Sequence, residues 1–417
     1  MKKILSVQFI LIASTILIVG SSCSSPVNST NDPHFTKDGL HLDSIGDAFI
    51  AQAPSSLSFY VEVSGSMNGF FRSNQATRFK KDVWSIVSNF GGNDVAVLSN
   101  AGTISGTYPI TQFRSRMNSG GFVSNQETLV PTMVNSILSN LDYKNGQCAV
   151  LISDMKYSPE KQKDIKVLLT QYQTDIRNQI GKYPGISVCM IMASSEYLKA
   201  NNTVAEEESP YYYVIFGKEE NVAFMRNCIS ILLDDNDDYR ESIEMGINYK
   251  TPSYSFGIPV NALQLYNEPT FTGFDTDFSD TCVIKLQLDL SNYRWMIADE
   301  TILRQCLSVK SCYGCGVSIG DIKIDATNHY NKKFERRVVA IVELKVYDMF
   351  ATTSDVIEWT LNHPDKLISD RFDQIMTSEK ESDLAGSFSV DRFIGGVFNA
   401  IQDEWDKTPN RILISKK

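Results

Sequence analysis

The stretch Phe59-Tyr60-Val61-Glu62-Val63-Ser64-Gly65-Ser66-Met67 decides the fold of this chain. Its first residues are aromatic and β-branched, which predicts a buried strand. The strand runs into a turn marked by Gly65, and this turn presents one carboxylate and two hydroxyls, those of Glu62, Ser64 and Ser66. Oxygen ligands grouped at the end of a strand suit hard cations such as Mg²⁺, Mn²⁺ or Ca²⁺.

Apolar strand-like runs alternate with amphipathic helices around this stretch. We predict strands over residues 57–63, 95–98, 103–110, 148–152, 186–192 and 211–216, and helices around residues 79–90, 131–141, 165–180 and 224–232. Continuously apolar strands that alternate with helices indicate an α/β sheet covered on both faces. We therefore expect a doubly wound, mostly parallel sheet over residues 56–235. Such sheets bind ligands at the carboxyl ends of their strands, where Ser66 and Asp154 fall.

The sequence pattern changes after residue 239. Val283-Ile284-Lys285-Leu286-Gln287-Leu288 and Val342-Glu343-Leu344-Lys345-Val346 alternate apolar and polar residues, as antiparallel strands with one solvated face do. We expect residues 240–417 to form a β-rich, sandwich-like domain with a C-terminal helix. The apolar stripe of this helix is Phe393, Ile394, Val397, Phe398, Ile401 and Trp405. The acidic run at residues 234–238 fits a solvated linker, because it lacks the glycine and final glutamate of a calcium loop.

The N-terminus has the features of an export signal. Lys2 and Lys3 precede an apolar run that ends in Gly20-Ser21-Ser22-Cys23, which predicts a secretory signal peptide over residues 1–22. Small residues before a cysteine resemble the lipobox of bacterial lipoproteins. That resemblance implies lipidation of Cys23 and a place in the cell envelope, most simply at the outer membrane. The alternative is an ordinary signal peptide followed by an incidental cysteine.

Residues 23–55 are rich in Ser, Asn, Asp and Pro, which is typical of a flexible tether. Within them Asp43-Ser44-Ile45 resembles an O-glycosylation motif of some Bacteroidetes. The net charge of −10 argues against nucleic acid as a partner and against anionic lipid. We therefore expect membrane contact through the N-terminal lipid alone.

The chain has eight cysteines, too few for a disulfide scaffold in a protein of this length. Cys312-Tyr313-Gly314-Cys315 is a C-x-x-C sequence. Three interpretations stay open for it: structural thiols or a local disulfide, a redox pair, or part of a metal site.

Two segments resemble the metal-ion-dependent adhesion site of von Willebrand factor A (VWA) domains. Glu62-Val63-Ser64-Gly65-Ser66 is similar to the Asp-x-Ser-x-Ser motif of that family, with Glu62 in place of the first aspartate. Leu151-Ile152-Ser153-Asp154 is similar to the strand that ends in an aspartate. Thr128, ahead of Pro131, is the best match to the threonine of the family; Ser124 and Thr132 are weaker matches. The resemblance covers roughly residues 56 to 233.

The resemblance implies a role for each matched residue. Ser64, Ser66 and Thr128 would give oxygens directly to Mg²⁺, Ca²⁺ or Mn²⁺, while Glu62 and Asp154 would act largely through bound water. One coordination position would accept an acidic side chain of a partner. The extra methylene of Glu62 displaces its carboxylate by about 1.5 Å, which Ca²⁺ tolerates better than Mg²⁺. The alternative is a VWA-like scaffold without metal, in which Ser64 and Ser66 cap the following turn.

The sequence offers little for catalysis. Gly65-Ser66-Met67-Asn68-Gly69 lacks the G-x-S-x-G spacing of a nucleophile elbow, and the chain has four histidines. Two of these, His34 and His41, fall in the predicted tether. We expect a binding protein of the cell envelope and no enzyme, with a protein or glycan partner at the strand-end site. The alternative is a structural subunit of an envelope complex with a degenerate, metal-free site.

Overall fold

The computed structural model describes residues 52–90, 94–99, 102–127, 129–157, 165–234, 239–245, 252, 254–265, 269–274, 281–290, 300–325, 329–331, 335–336, 339–349, 353–362, 378, 382–402 and 408–416. The predicted signal peptide, Cys23 and nearly all of the predicted tether lie outside the described residues. All of the described residues belong to one compact unit.

A seven-stranded sheet holds the opening stretch near its centre. Its strands are β1 (Ser56–Glu62), β2 (Asp94–Ser99), β3 (Thr103–Pro109), β4 (Gln147–Ser153), β5 (Ser187–Leu198), β6 (Val204–Gly217) and β7 (Tyr239–Met245). They lie in the order β3-β2-β1-β4-β6-β5-β7. Strand β1 pairs in parallel with β2 and β4, and the other neighbours pair antiparallel.

The prediction of an α/β sheet is confirmed, but the expectation that the sheet is mostly parallel was wrong outside β2, β1 and β4. Strands β5 and β6 are joined by the short connection at residues 199–203, and Leu198 pairs with Val204. A connection this short can join only antiparallel strands, because a parallel crossover needs a dozen or more residues. Because of this hairpin, β6 runs antiparallel to both of its neighbours, β4 and β5.

Helices cover both faces of this sheet: α1 (Arg78–Phe90), α2 (Ile110–Ser119), α3 (Val130–Leu138), α4 (Ile165–Ile180) and α5 (Glu219–Asp234). Successive residues of a strand point to opposite faces. Phe59 and Tyr211 accordingly share a core with α1, α2 and α5, while Tyr60 and Tyr212 share a core with α3 and α4. This double coverage explains why the sequence of the strands is continuously apolar.

Two further sheets follow. Their elements are β8 (Tyr254–Phe256), β9 (Leu263–Gln264), β10 (Thr270–Phe274), β11 (Thr281–Asp289), α6 (Glu300–Cys306), β12 (Leu307–Ser311), β13 (Gly316–Asp325), β14 (His329–Asn331), β15 (Glu335–Arg336), β16 (Val339–Tyr347), β17 (Ser354–Leu361), α7 (Val390–Ile401) and β18 (Asn410–Lys416). One sheet has the order β12-β17-β18-β10-β9 and the other β13-β16-β11-β8, with β14 and β15 paired separately. The ring centroids of Tyr254 and Trp359 lie 5.0 Å apart, and those of Phe256 and Phe271 lie 5.2 Å apart, so the two sheets touch through aromatic side chains.

The predicted C-terminal helix is present as α7, and its apolar stripe is buried. It does not end the chain, which corrects the expectation: strand β18 follows and lies between β17 and β10. In β18 Asn410, Ile412 and Ile414 are buried, whereas Arg411 and Leu413 are exposed. This is the period-two pattern of a strand with one solvated face. Trp405 lies outside the described residues.

Elements that follow residue 238 also contact the first sheet. Strand β7 is its edge strand, paired with β5, and α7 packs against α4. The division of the chain into domains at residues 235–240 stays a prediction. None of the helices in the described part of the chain is long and apolar enough to cross a lipid bilayer.

Candidate functional site

The predicted site lies where three parallel strands end together. Val61 pairs with Ile152 in the parallel register of β1 and β4, and the Val63 N–H donates to the carbonyl oxygen of Leu98 at 2.8 Å. The parallel register therefore places the segment that carries Ser64 and Ser66 beside the segment that begins with Asp154. Carboxyl ends of parallel strands are the usual ligand edge of such sheets.

Ser64, Ser66 and Asp154, which we call the strand-end site, are joined by hydrogen bonds. Ser64 Oγ lies 2.9 Å from Ser66 Oγ, and Ser66 Oγ donates to Asp154 Oδ1 at 3.1 Å. The backbone N–H of Lys156 donates to the same Oδ1 at 3.2 Å. Ser64 and Asp154 are each 2 % exposed, and Ser66 is half-buried. The structure thus brings together three of the five predicted metal ligands.

The second oxygen of Asp154 is the most informative atom of the site. Asp154 Oδ2 is buried and has no hydrogen-bond partner among the described residues. Burial raises the pKa of Asp154, while the Lys156 ammonium and the hydrogen bonds from Lys156 N–H and Ser66 oppose the shift. A buried carboxylate oxygen without a donor is costly. The site is therefore suited to take up a cation or a proton at Oδ2.

Glu62 is connected to the strand-end site indirectly, through Ser153. Ser153 Oγ donates to Glu62 Oε2, and the N–H of Met155 donates to Ser153 Oγ at 2.7 Å. Glu62 falls on the same face of β1 as Tyr60. Burial is the main cause of the raised pKa of Tyr172, and the charge of Glu62 adds a smaller contribution. The carboxylate thus fixes the residue directly before Asp154.

Thr128 lies outside the described residues, but the segment before it is fastened to the site. The N–H of Gly65 donates to the carbonyl oxygen of Gln126 at 2.9 Å. Asn68 Nδ2 donates to the carbonyl oxygen of Ser124 at 2.6 Å, and Ser124 N–H donates to Asn68 Oδ1 at 2.7 Å. The hydroxyl of Ser124 accepts the N–H of Gln126 at 3.2 Å, and Thr132 lies within α3.

A segment from near the C-terminus, which no sequence pattern places here, also reaches the site. Lys156 Nζ donates to the carbonyl oxygen of Asp383 at 2.7 Å, and the Tyr212 hydroxyl is hydrogen-bonded to Ser387 Oγ. Lys156 is 4 % exposed and Ser387 is fully buried. Residues 382–389 therefore lie against the strand-end site. Tyr212 also lies close enough to Asp154 for that charge to add to the effect of burial in raising the pKa of Tyr212.

The strand-end site differs from a metal centre that is built from several charged side chains. Within the described residues no three His, Cys, Asp or Glu side chains form a group that could hold a metal ion. The strand-end site offers one carboxylate and two hydroxyls instead. No model of a known protein family matches the chain, and no curated protein matches its sequence at a significant level. The functional proposal therefore depends on the fold and on the geometry of the site.

Proposed function

We propose that this chain is a lipid-anchored protein of the cell envelope that binds a protein or glycan partner through the strand-end site, with a divalent cation between the two. The observation that carries the proposal is the buried Asp154 Oδ2, which no described residue contacts by a hydrogen bond and which lies beside the hydroxyls of Ser64 and Ser66. Hydroxyl and carboxylate oxygens are the ligands that Mg²⁺ and Ca²⁺ take. The proposal includes no catalytic activity.

The arrangement of the sheets supports a VWA-like first domain and a sandwich-like second one. Parallel strands β2, β1 and β4 lie side by side, helices cover both faces of their sheet, and the candidate ligands follow β1 and β4. In the second part, aromatic side chains of β8 contact β17 and β10 across the two smaller sheets. In this proposal the second domain serves as a spacer or as a further contact surface.

Each residue of the site has a defined role in the proposal. Ser64 Oγ, Ser66 Oγ and Asp154 Oδ2 would hold Mg²⁺, Mn²⁺ or Ca²⁺, with Thr128 as the further predicted ligand. Glu62 fixes Ser153 and so orients the backbone that carries Asp154. A cation held by a single carboxylate keeps enough positive charge to attract an acidic group of a partner.

A cation titration tests the proposal. The thermal unfolding of purified protein is followed with Mg²⁺, Mn²⁺ and Ca²⁺, and at least one of them should raise the midpoint. A ligand at a hundred times its Kd stabilises the folded state by about 2.7 kcal/mol. Ser66→Ala should abolish the shift. Ser58→Ala, at an exposed serine of β1, is the matched control and should keep it. An unchanged midpoint of the wild-type protein with all three ions would contradict the proposal.

A metal-free structural subunit is the second candidate, and Lys156 favours it. The ammonium of Lys156 is buried near Asp154 and lowers the pKa of that carboxyl in part, so it could supply the positive charge of the site. Such a protein would bind its neighbours through ordinary surfaces. Partners captured from envelope extracts distinguish the two candidates: loss of partners with EDTA supports the cation-dependent protein, and an unchanged set supports the structural subunit.

A further inference from the structure

The C-x-x-C sequence forms the connection between β12 and β13, which belong to different sheets. Within this connection Gly314 N–H donates to Ser311 Oγ at 2.8 Å, and Gly314 has a φ of 105°. Only glycine adopts this conformation readily. A Cβ built at Gly314 meets nothing within 4 Å, so the outer side of the connection is open.

The two cysteines are anchored to adjacent residues of β17. Cys312 N–H donates to the carbonyl oxygen of Val356 at 2.9 Å, and Cys315 N–H donates to Asp355 Oδ2 at 2.9 Å. The chain bends at residues 312–314, and only two residues separate the two cysteines. Disulfides usually join Cα atoms about 4.4 to 6.8 Å apart. The bend and the short spacing are compatible with a bond between Cys312 and Cys315.

Asp355 fixes the inner side of the connection. Its carboxylate is 1 % exposed and accepts hydrogen bonds from Ser311 Oγ at 2.7 Å and from Tyr313 N–H at 2.9 Å. The Cys315 thiol is also hydrogen-bonded to this carboxylate and to Ser311. Asp355 therefore fixes the position of the buried Cys315 thiol.

The two thiols differ in their access to solvent. Cys312 is exposed, whereas Cys315 is buried. Among the other described cysteines, Cys228 is half-buried and the rest are buried: Cys148, Cys189, Cys282 and Cys306. An external reagent would thus react first with Cys312. The next thiol along the connection is that of Cys315, which Asp355 holds.

We propose that Cys312 and Cys315 form a reversible disulfide site, with Cys312 as the entry thiol and Cys315 as the resolving thiol. The Cys312 thiolate attacks one sulfur of an external disulfide, whose sulfur–sulfur bond breaks and whose first thiolate leaves and takes up a proton. The Cys315 thiol then loses its proton and attacks Cys312 Sγ, which releases the second external thiol. Two protein thiols are oxidised to one disulfide, and the external disulfide is reduced to two thiols.

The test uses glutathione disulfide on reduced, purified protein. After incubation and alkylation, intact mass and peptide mapping should find a Cys312–Cys315 bond and no lasting glutathione adduct. In Cys315→Ser the mixed disulfide at Cys312 should persist, because its resolving thiol is gone. In Cys312→Ser neither product should form. Cys228→Ser is the matched control and should behave as the wild type.

Asp355→Asn supplies a further readout, since it keeps the shape of the side chain and removes its charge. Burial raises the pKa of the Cys315 thiol and the Asp355 carboxylate adds to this effect, so the mixed disulfide at Cys312 should then be resolved several-fold faster than in the wild type. Two results would overturn the proposal. One is a stable glutathione adduct on Cys312 of the wild-type protein, and the other is full alkylation of both cysteines after the incubation.

Discussion

Ser66 Oγ donates a hydrogen bond to Asp154 Oδ1 across 3.1 Å, and it thereby joins the segments that follow β1 and β4. The two residues are 88 positions apart in the chain. Oδ1 also accepts a hydrogen bond from the Lys156 N–H, while Oδ2 has no donor within the part of the chain that the structure describes. The hydrogen bonds of the fold thus satisfy Oδ1, and Oδ2 is left for a ligand.

Asp154→Asn should stabilise the protein in the absence of cations and abolish its response to them. Burial raises the pKa of Asp154 above its ordinary value, so the ionised form weakens the folded state at neutral pH. Asparagine removes this charge, and the free energy of unfolding should rise by about 1 kcal/mol, the scale of one buried unsatisfied polar group. Urea unfolding with EDTA, followed by cation titration of the same variant, measures both effects.

The same substitution has a defined pH dependence. An acid whose pKa is raised on folding favours the folded state below its unfolded pKa and loses that contribution as pH rises through its folded pKa. The gain in the free energy of unfolding from Asp154→Asn should therefore be largest at neutral pH and become smaller as the pH falls. Asp94→Asn, at an exposed aspartate of β2, should leave stability within about 0.5 kcal/mol of the wild type at both pH values. A variant less stable than the wild type at neutral pH would contradict the expectation.

Lys156→Met should strengthen cation binding. The buried ammonium lies close enough to Asp154 to lower the pKa of that carboxyl in part, and it would repel a cation at Oδ2. Its removal should reduce the half-saturating cation concentration roughly five- to thirtyfold, since partly buried charges several ångströms apart interact by about 1 to 2 kcal/mol. The exposed Lys81 provides the control substitution Lys81→Met, whose cation response should equal that of the wild type. Weaker binding in Lys156→Met would mean that the ammonium organises the site.

Asp355→Asn should destabilise the protein, by about 2 kcal/mol at neutral pH. Burial acts to raise the pKa of Asp355, but the hydrogen bonds from Cys315, Ser311 and Tyr313 outweigh it and lower the pKa to about 2. A carboxyl with a lowered folded pKa adds stability above its unfolded pKa, and that stability is lost as pH falls through the folded value.

Chemical denaturation at several pH values measures this dependence. The difference between the wild type and Asp355→Asn should be constant from about pH 5 to 7 and should narrow below about pH 4. The exposed Asp321 is the control position, and Asp321→Asn should match the wild type throughout. A difference that stays constant down to pH 3 would show that the effect does not come from the charge of Asp355.

The first sheet could be predicted from the sequence where burial on both faces makes strands continuously apolar. Strands β1 and β4 were predicted to within a residue or two for this reason. The hairpin of β5 and β6 was missed because its outer parts, residues 193–198 and 204–210, carry Ser and Glu and extend beyond the apolar runs. Strand β18 was missed although it alternates, since the preceding helix was expected to end the chain.

The candidate site was partly predictable for a related reason. Ser64, Ser66 and Asp154 follow strands that the pattern assigned to one parallel sheet, so we expected them at the same edge of that sheet. The pairing of β1 with β4, which brings them together, is a finding of the structure. The contact of Lys156 with Asp383 joins residues 227 positions apart. It depends on how the chain after β17 returns to the first sheet, and local patterns carry no information about that path.

Gly396→Ala should destabilise the protein although alanine favours helices. A Cβ at Gly396 in α7 would lie 2.7 Å from the carbonyl oxygen of Gln173 and 2.7 Å from Ile176 Cβ, both in α4. Backbone cannot yield cheaply, so overpacking of about 1 to 3 kcal/mol exceeds the gain in helix propensity of up to about 1 kcal/mol. Gly395→Ala is the matched control, because its Cβ would meet only the end of the flexible Gln173 side chain, at 2.9 Å. Urea unfolding should therefore separate two neighbouring glycines, with Gly395→Ala neutral or slightly stabilising. Equal stability of the two variants would show that α7 does not press on α4 at this point.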